Sequence, residues 1–582
     1  MRKKHFLFAS VLALLCGSST LHAQDFKLTS SGYFKNQGVD VMAFDDIYPE
    51  GHQGGVCIIM NGHRVATNGD IRLEATPGQW QPVPKQLDRK LGDNSITATL
   101  CYPDSSRHLT GFNPMIYPDL HLIYTVNVES KGKNIEVTVD LDRPIPQEFI
   151  GKVGFNLEFF PGSLFGKPWI MDGQSGIFPQ QPNSPLMTTQ PNYLHTGNYH
   201  DGKKSLADMD KLIGKGYSPI VADDIISEPY AKGTKFTSRP DDPYNKVTIE
   251  SLSGDLQLFD GRMNHNNGWF VLRSNIKPGV TKGAVKWIIT PNVVADWMYQ
   301  PVIQTSQIGY HPTQDKEAVI EMDIRDNRKE TAQIIRIDAD GEKVVKNVTP
   351  ANWGKFLRYN YLKVNFTDVK EPGLYKIKYN TSVSPIFRID NDVYARGVWQ
   401  PVLEYFLPVQ MCHMRVNEKY RVWHDCCHMD DAQMAPAHNH IDGYDQKEGL
   451  SKFKPGEVVP GVNIGGWHDA GDFDLRIESQ AGESYILALA YEAFHPNLDV
   501  TSIDQINRVT EIHQPDGKND LLQQVENGAL TVVNGYLALG RLYRGIICND
   551  LRQYVLLGDA AAMTDGKIGN EDDRWIFLED KR

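Results

Sequence analysis

Gly465-Gly466-Trp467-His468-Asp469-Ala470-Gly471-Asp472 is the stretch from which the rest of this 582-residue chain is read. It sets two carboxylates, Asp469 and Asp472, in a turn of small residues, at a spacing that places them on one side of a tight turn or one face of a first helical turn. Gly471 between them leaves the backbone open to close approach by a bulky ligand. An ionised carboxylate serves as a base, a neighbouring one orients it, and Trp467 offers a flat apolar face on which a sugar ring lies. The same residues also read as a helix start, because Asp caps well and an apolar helical pattern begins near Glu478 and Ala481. Spacing alone favours the cap.

Two further islands precede this stretch: Ser306-Gln307-Ile308-Gly309-Tyr310-His311-Pro312, and the group His424, Cys427, His428, Asp430, Asp431 and Ala432. Together with the Asp469/Asp472 motif they resemble glycoside hydrolase family 9, the inverting endoglucanase (cellulase) family. The first island resembles the opening strand of the immunoglobulin-like domain that precedes many of its catalytic domains. The second resembles the family's stretch ahead of the Asp pair. The resemblance covers about residues 303–545 and does not reach residues 24–300.

The resemblance implies an all-α (α/α)6 barrel after residue 390 and hydrolysis of a β-1,4-linked glucan with inversion. The substrate would be cellulose, mixed-linkage glucan or xyloglucan. It makes Asp472 the general base, taking a proton from a water that attacks the anomeric carbon. Asp469 would hold that water or keep Asp472 ionised and oriented. Inverting sites keep acid and base ~6.5–9.5 Å apart, so the acid is not Asp469 but a Glu near the end of the barrel. No cofactor is implied for catalysis. Some members hold a structural zinc with two Cys and two His. Here that implies Cys412, Cys427 and His428, with His438, His440 or His468 as fourth ligand and Cys426 competing with Cys427. The other reading has the cysteines buried as apolar residues, with His424 and His428 capping or lining a cleft.

The net charge of -12, with 41% hydrophobic and 23% charged residues, is that of an ordinary globular chain. It argues against nucleic acid or an anionic membrane as main partner. Residues 1–23 read as a signal peptide: Arg2, Lys3 and Lys4, an apolar run from Phe6 to Cys16, then Leu21-His22-Ala23. That run is too short to span a bilayer, and no later segment is long and apolar enough. The expected location is therefore periplasmic, cell-surface or secreted. Cys16 leaves with the signal; Cys57, Cys101, Cys412, Cys426, Cys427 and Cys548 are too sparse for a disulfide scaffold. Cys57 and Cys101 read as a bridge or as two buried thiols.

Residues 24–300 read as a β-rich sandwich of unassigned role. Leu122, Tyr124, Val126 and Val128 alternate with polar residues, as do Ile135, Val137, Val139 and Leu141 beyond a turn at residues 131–134. Residues 160–245 are rich in Gly, Pro, Asn and Asp and read as long loops. Trp80, Trp169 and Trp269 read as core rather than as a sugar platform. Residues 301–390 read as an immunoglobulin-like sandwich of supporting role.

Residues 391–582 read as the first part of the helical catalytic domain. One helix follows Asp390-Asn391-Asp392, with Tyr394, Val398, Val402, Tyr405 and Val409 in phase and Pro401 and Pro408 interrupting it. Residues 481–494, apolar nearly all round, predict a buried helix, and residues 521–539 another. The helical signals are too few for twelve helices, and Glu571 and Glu579 lie in charged stretches that read as solvated. The chain thus reads as ending within its catalytic domain, without the acid. The alternatives are a non-catalytic carbohydrate-binding or assembly fragment, and a β-glucosidase or glucosaminidase of the same fold.

Overall fold

The computed structural model describes residues 25–45, 54–74, 77, 84–102, 122–182, 227–263, 268–439, 445–469, 473–548 and 574–578. The signal peptide, Trp80, Asp472, His440, Glu571 and Glu579 lie outside the described residues.

The first part is a sandwich of two nine-stranded sheets. One sheet centres on strands His63–Leu73, Val153–Phe159 and Phe270–Asn275, the other on Val285–Pro291, Asn134–Leu141 and Leu122–Lys131. Alternation decides the packing: Ile135, Val137, Val139 and Leu141 point into one core with Phe155, Leu157 and Leu272. The predicted hairpin forms, with Lys131 pairing Asn134 and Gly132 in the left-handed region at φ 66°.

Residues 160–245 are not all loop. Pro168–Met171 and Gln174–Ile177 form a hairpin, and Lys235–Ser238 pairs with its first strand. Gly176 permits this, since a Cβ there would stand 2.4 Å from the Trp169 ring. Trp169 is buried, whereas Trp269 is half-buried with its ring 4.6 Å from that of Phe160. Cys57 and Cys101 lie on opposite sheets and are not joined in a disulfide.

A second, smaller sandwich follows, of one four-stranded and one five-stranded sheet. Its core holds Ile320, Ile334, Leu362, Phe366, Tyr375, Ile377 and Phe387. Tyr310 ties the 306–312 stretch into that core: its hydroxyl accepts from the Ser306 N–H (2.9 Å) and donates to the Glu317 carbonyl (3.1 Å). Gly309, at φ 104°, lies so close to the Arg388 carbonyl that a Cβ would stand 2.3 Å from it.

Beyond residue 390 the described residues contain three α-helices: α1 (Gln400–Gln410), α2 (Ile477–Phe494) and α3 (Asp520–Leu539). Three small sheets stand among them, which corrects the all-α expectation for this region. Strands Arg415–Glu418 and Val509–Ile512 pair in parallel, as do Gln433–Met434 and Arg574–Phe577. The helix expected directly after Asp392 starts later, at Gln400, because Pro401 is tolerated in a first turn while disfavouring helix before it. Its buried residues are Leu403 and Leu407; Val402, Tyr405 and Val409 are exposed.

The expectation of a buried helix at residues 481–494 fails too. α2 packs along α3, yet Tyr485 is 66% exposed and Phe494 80%. An all-round apolar pattern carries no information about which face finds a neighbour. No helix among the described residues is long and apolar enough to cross a membrane.

Candidate functional site

The Gly465–Asp469 turn is clamped by the polar faces of α2 and α3. Gln480 on α2 accepts from the Trp467 N–H and donates to its carbonyl, both at 2.8 Å. From α3, Asn527 donates to the Gly466 carbonyl (3.2 Å), and Thr531 to that of Ile464 (2.8 Å). The two glycines are required here. Gly465 (φ 67°) would put a Cβ 2.3 Å from the Asn527 carbonyl, and Gly466 (φ 87°) one 2.8 Å from the Thr531 hydroxyl.

Trp467 is not a platform for a sugar. It is 1% exposed, its indole N–H donates to Gln524 (3.2 Å), and its ring fills the space over Gly528. A buried indole with a satisfied N–H is a packing anchor. The cap reading also fails for Asp469, since α2 begins at Ile477 with Arg476 as its N-cap residue.

The Asp469 carboxylate instead faces the Arg476 guanidinium, Oδ2 to Nε 3.0 Å, and Arg476 reaches Asp474 at 3.2 Å. Glu483 on α2 lies close enough for Asp469 to act on it: burial first, then the Asp469 charge, pushes its carboxyl above the ordinary value. Neither Arg476 nor Glu483 stands out in the sequence. Both sit beyond the motif, one just before and one on the helix that follows it, and no spacing rule marks them.

Next to this turn four buried donors converge. Cys412 is brought in by the segment after α1, where the Cys412 N–H donates to the Gly466 carbonyl (3.0 Å) and the His468 N–H to that of Gln410 (2.7 Å). Cys427 and His428 come from the loop after strand Arg421–His424, with His428 in the left-handed region at φ 55°. Cys427 Sγ stands 3.8 Å from Cys412 Sγ and 3.7 Å from His468 Nε2. His428 Nδ1 stands 3.7 Å from Cys412 Sγ. All four donor atoms lie within 4.8 Å of one another.

Zinc with Zn–S ~2.3 Å and Zn–N ~2.0 Å in a tetrahedron puts its sulfurs about 3.8 Å apart and sulfur and nitrogen about 3.5 Å apart. Three of the donor pairs, at 3.7–3.8 Å, match that span, and the whole set lies within 4.8 Å. Cys412, Cys427 and His428, the triad expected from the sequence, are thus brought together, and His468 completes the group of four. Cys426 turns away, its thiol toward the Arg508 carbonyl. His424 Nδ1 lies 2.8 Å from the Asp425 carbonyl, outside the cluster, and the side chain of His438 is outside the described residues.

The protonation states suit a metal. Burial lowers both His428 and His468, which keeps the imidazoles neutral. Burial alone would raise Cys412, but the hydrogen bond from Cys427, with His413 and Arg574 nearby, holds it well below the usual thiol range. Cys427, which donates that bond and is buried, is pushed well above.

Arg574 carries no signal in the sequence, because its neighbours Glu571, Asp572 and Asp573 read as a solvated run. It is 1% exposed, ion-paired through Nε to Asp431, and its Nη2 donates to Cys412 Sγ at 3.5 Å. Burial raises the Asp431 carboxyl to about 7 against the pull of Arg574.

Residues 298–384 match the family model described as the cellulase N-terminal ig-like domain. No curated protein matches the chain. Among solved structures, a metagenome-derived glycoside hydrolase family 9 endoglucanase is similar at 21% identity and TM-score 0.35, over 48% of this chain and 46% of its own. A family 9 protein of Bacteroides ovatus gives 19% and 0.35, over 48% of this chain and 45% of its own. A Zn-binding triple mutant of the family 9 endoglucanase J30 gives 20% and 0.33, over 46% of this chain and 44% of its own. The chain spans less than half the length of each of these structures. The likeness that bears on this chain is therefore that of residues 298–384 to the cellulase N-terminal ig-like domain.

Proposed function

We propose that this chain is an exported glycoside hydrolase that cleaves a β-1,4-linked glucan with inversion. In this reading residues 24–300 form an accessory sandwich, residues 301–390 the ig-like support, and residues 391–582 part of an (α/α)6-type catalytic region. The observation that carries it is the clamped Gly465–Asp469 turn, with Asp469 held on Arg476, in the region that follows an ig-like domain of cellulase type. Asp472 takes the proton from the attacking water. Asp469, its charge steadied by the guanidinium, orients that water or keeps Asp472 ionised.

The zinc reading belongs beside it. Cys412, Cys427, His428 and His468 would hold a structural zinc, which would tie the loop after residue 424 to the catalytic turn through His468, the residue preceding Asp469. When bound, the ion supplies cross-linking and no chemistry. A closed set of four protein ligands leaves no open position for water or substrate.

The test is turnover of a soluble β-glucan by a form that carries a complete barrel, with Asp472→Asn lowering it ~10²-fold or more at nearly unchanged melting temperature. Proton NMR should show the α-anomer of the product first. Equal activity in Asp472→Asn removes the assignment, and a β-anomer first makes the mechanism retaining. Product sizes separate endo action from a β-glucosidase or glucosaminidase. A chain that binds glucan without releasing reducing ends is the binding fragment instead.

A further inference from the structure

Between the first sandwich and the ig-like domain lies a cavity of about 170 Å³. Its walls come from residues 35–40 of the first sandwich, the connector at residues 297–299, and two turns of the second at residues 323–325 and 358–359. Three aromatic side chains line it in succession. The Trp297 and Tyr299 ring centroids are 6.5 Å apart, and those of Tyr299 and Tyr359 5.1 Å.

The rings are fixed from behind. The Trp297 carbonyl accepts from Gln37 Nε2 (3.0 Å) and Arg325 Nη2 (2.9 Å), and its ring lies on Gly38, where a Cβ would meet it at 2.7 Å. The Tyr299 N–H donates to Asp323 (3.1 Å) and its hydroxyl to Glu321 (2.8 Å). These contacts account for how the two sandwiches are joined here.

They do not account for three other groups. Lys35, Asp40 and Arg358 also line the cavity, and among the described residues their side chains make no hydrogen bond or ion pair. Asp40 is half-buried, and burial raises its carboxyl although Arg358 and Lys35 pull it back. A seam serving only adhesion gains nothing from a half-buried carboxylate held short of its cations.

Half-buried aromatic rings beside unspent planar acid and guanidinium groups are what a pyranose requires. Its C–H face lies on the rings and its hydroxyls bridge the charges. At ~30 Å³ per water the volume equals about six waters, which is room for one sugar ring and not for a chain. Lys35, Arg325 and Arg358 at the rim are exposed, so a glycan can continue outward from a seated end.

We propose that this cavity binds a terminal hexose of a glycan, packed among the inclined rings of Trp297, Tyr299 and Tyr359 and hydrogen-bonded by Asp40 and Arg358. It is separate from the Asp469 turn and does not depend on the hydrolase reading.

Isothermal titration of the full chain with cellobiose and with lactose tests it. These present a glucose or a galactose at the free end. One of them should bind, and Asp40→Ala and Arg358→Ala should each weaken that binding about tenfold at unchanged melting temperature. Asp469→Ala should leave it as it is, whether or not the chain turns over glucan. Two results overturn the proposal: no heat from either sugar, or binding that disappears with Asp469→Ala and survives both cavity variants.

Discussion

Two regions of this molecule bury polar groups, and they bury them in opposite ways. In the first sandwich, Asn156 and Arg273 on two central strands and Glu74 just past the end of a third close a ring of contacts. Asn156 donates to Glu74 at 2.6 Å, Arg273 to Asn156 at 3.1 Å, and Arg273 reaches Glu74 at 3.3 Å. Donors and acceptors there are matched, and nothing further is required. At Cys412, Cys427, His428 and His468, four groups that can each offer a lone pair to a metal converge instead, with burial favouring neutral imidazoles and Cys412 held toward the thiolate. Matched burial marks architecture, whereas convergent acceptors mark a place for a cation.

The sharpest break of this comparison is metal content. The full chain should carry one zinc, and Cys412→Ser or Cys427→Ser should lose it. The cost should exceed ~5 kcal/mol of local stability, since structural zinc ties ~10–16 kcal/mol of binding to folding in zinc-finger peptides. Elemental analysis with calorimetry reads both. A zinc-free wild type that melts like Cys412→Ser would make the cluster a plain thiol pair.

The matched ring should answer next. Arg273→Met strands Glu74 in the core and should cost ~3–5 kcal/mol, measured as weaker protection of strand Val153–Phe159 in hydrogen exchange. Adding Glu74→Gln should recover much of it. Additive losses would show that the ring is not one unit.

Gly528→Ala should cost ~1–3 kcal/mol, because its Cβ would stand 2.2 Å from the Trp467 ring. If Trp467 positions His468, the same variant weakens zinc retention. Lost stability with zinc retained would separate the indole from the cluster.

A further effect is in pH. Burial lifts Glu74 from 4.5 to about 7, with Arg273 and Arg72 pulling it down. A carboxyl raised by folding favours the folded state while protonated. Its contribution is full below pH 4.5 and lost as pH rises through about 7. Glu74→Gln should flatten the stability of the first sandwich across that window. An unchanged slope would place the proton elsewhere.

Much of the molecule is legible in its sequence. Period-two alternation at residues 122–141 fixes two strands and their faces, because the pleat leaves a side chain only two directions. Cys412, Cys427 and His428 are legible as candidate donors from residue type and from the family resemblance of the stretch around them, not from spacing. Helix burial is not: residues 481–494 are apolar on every side, and Val402, Tyr405 and Val409 are in phase on a face that is exposed. Periodicity names a face without naming what covers it.

What the sequence by itself determined, then, is local: strand alternation, the glycines of the 465–466 turn, and the chemical kinds gathered around it. The tertiary structure decided the rest. It selected His468 as the fourth donor, turned Cys426 outward, sank Trp467 under α3, and drew Arg574 from a charged run to Asp431 and Cys412. Those choices depend on contacts between residues far apart in the chain, such as Arg574 with Asp431. Their free energy exists only once the intervening segments have folded.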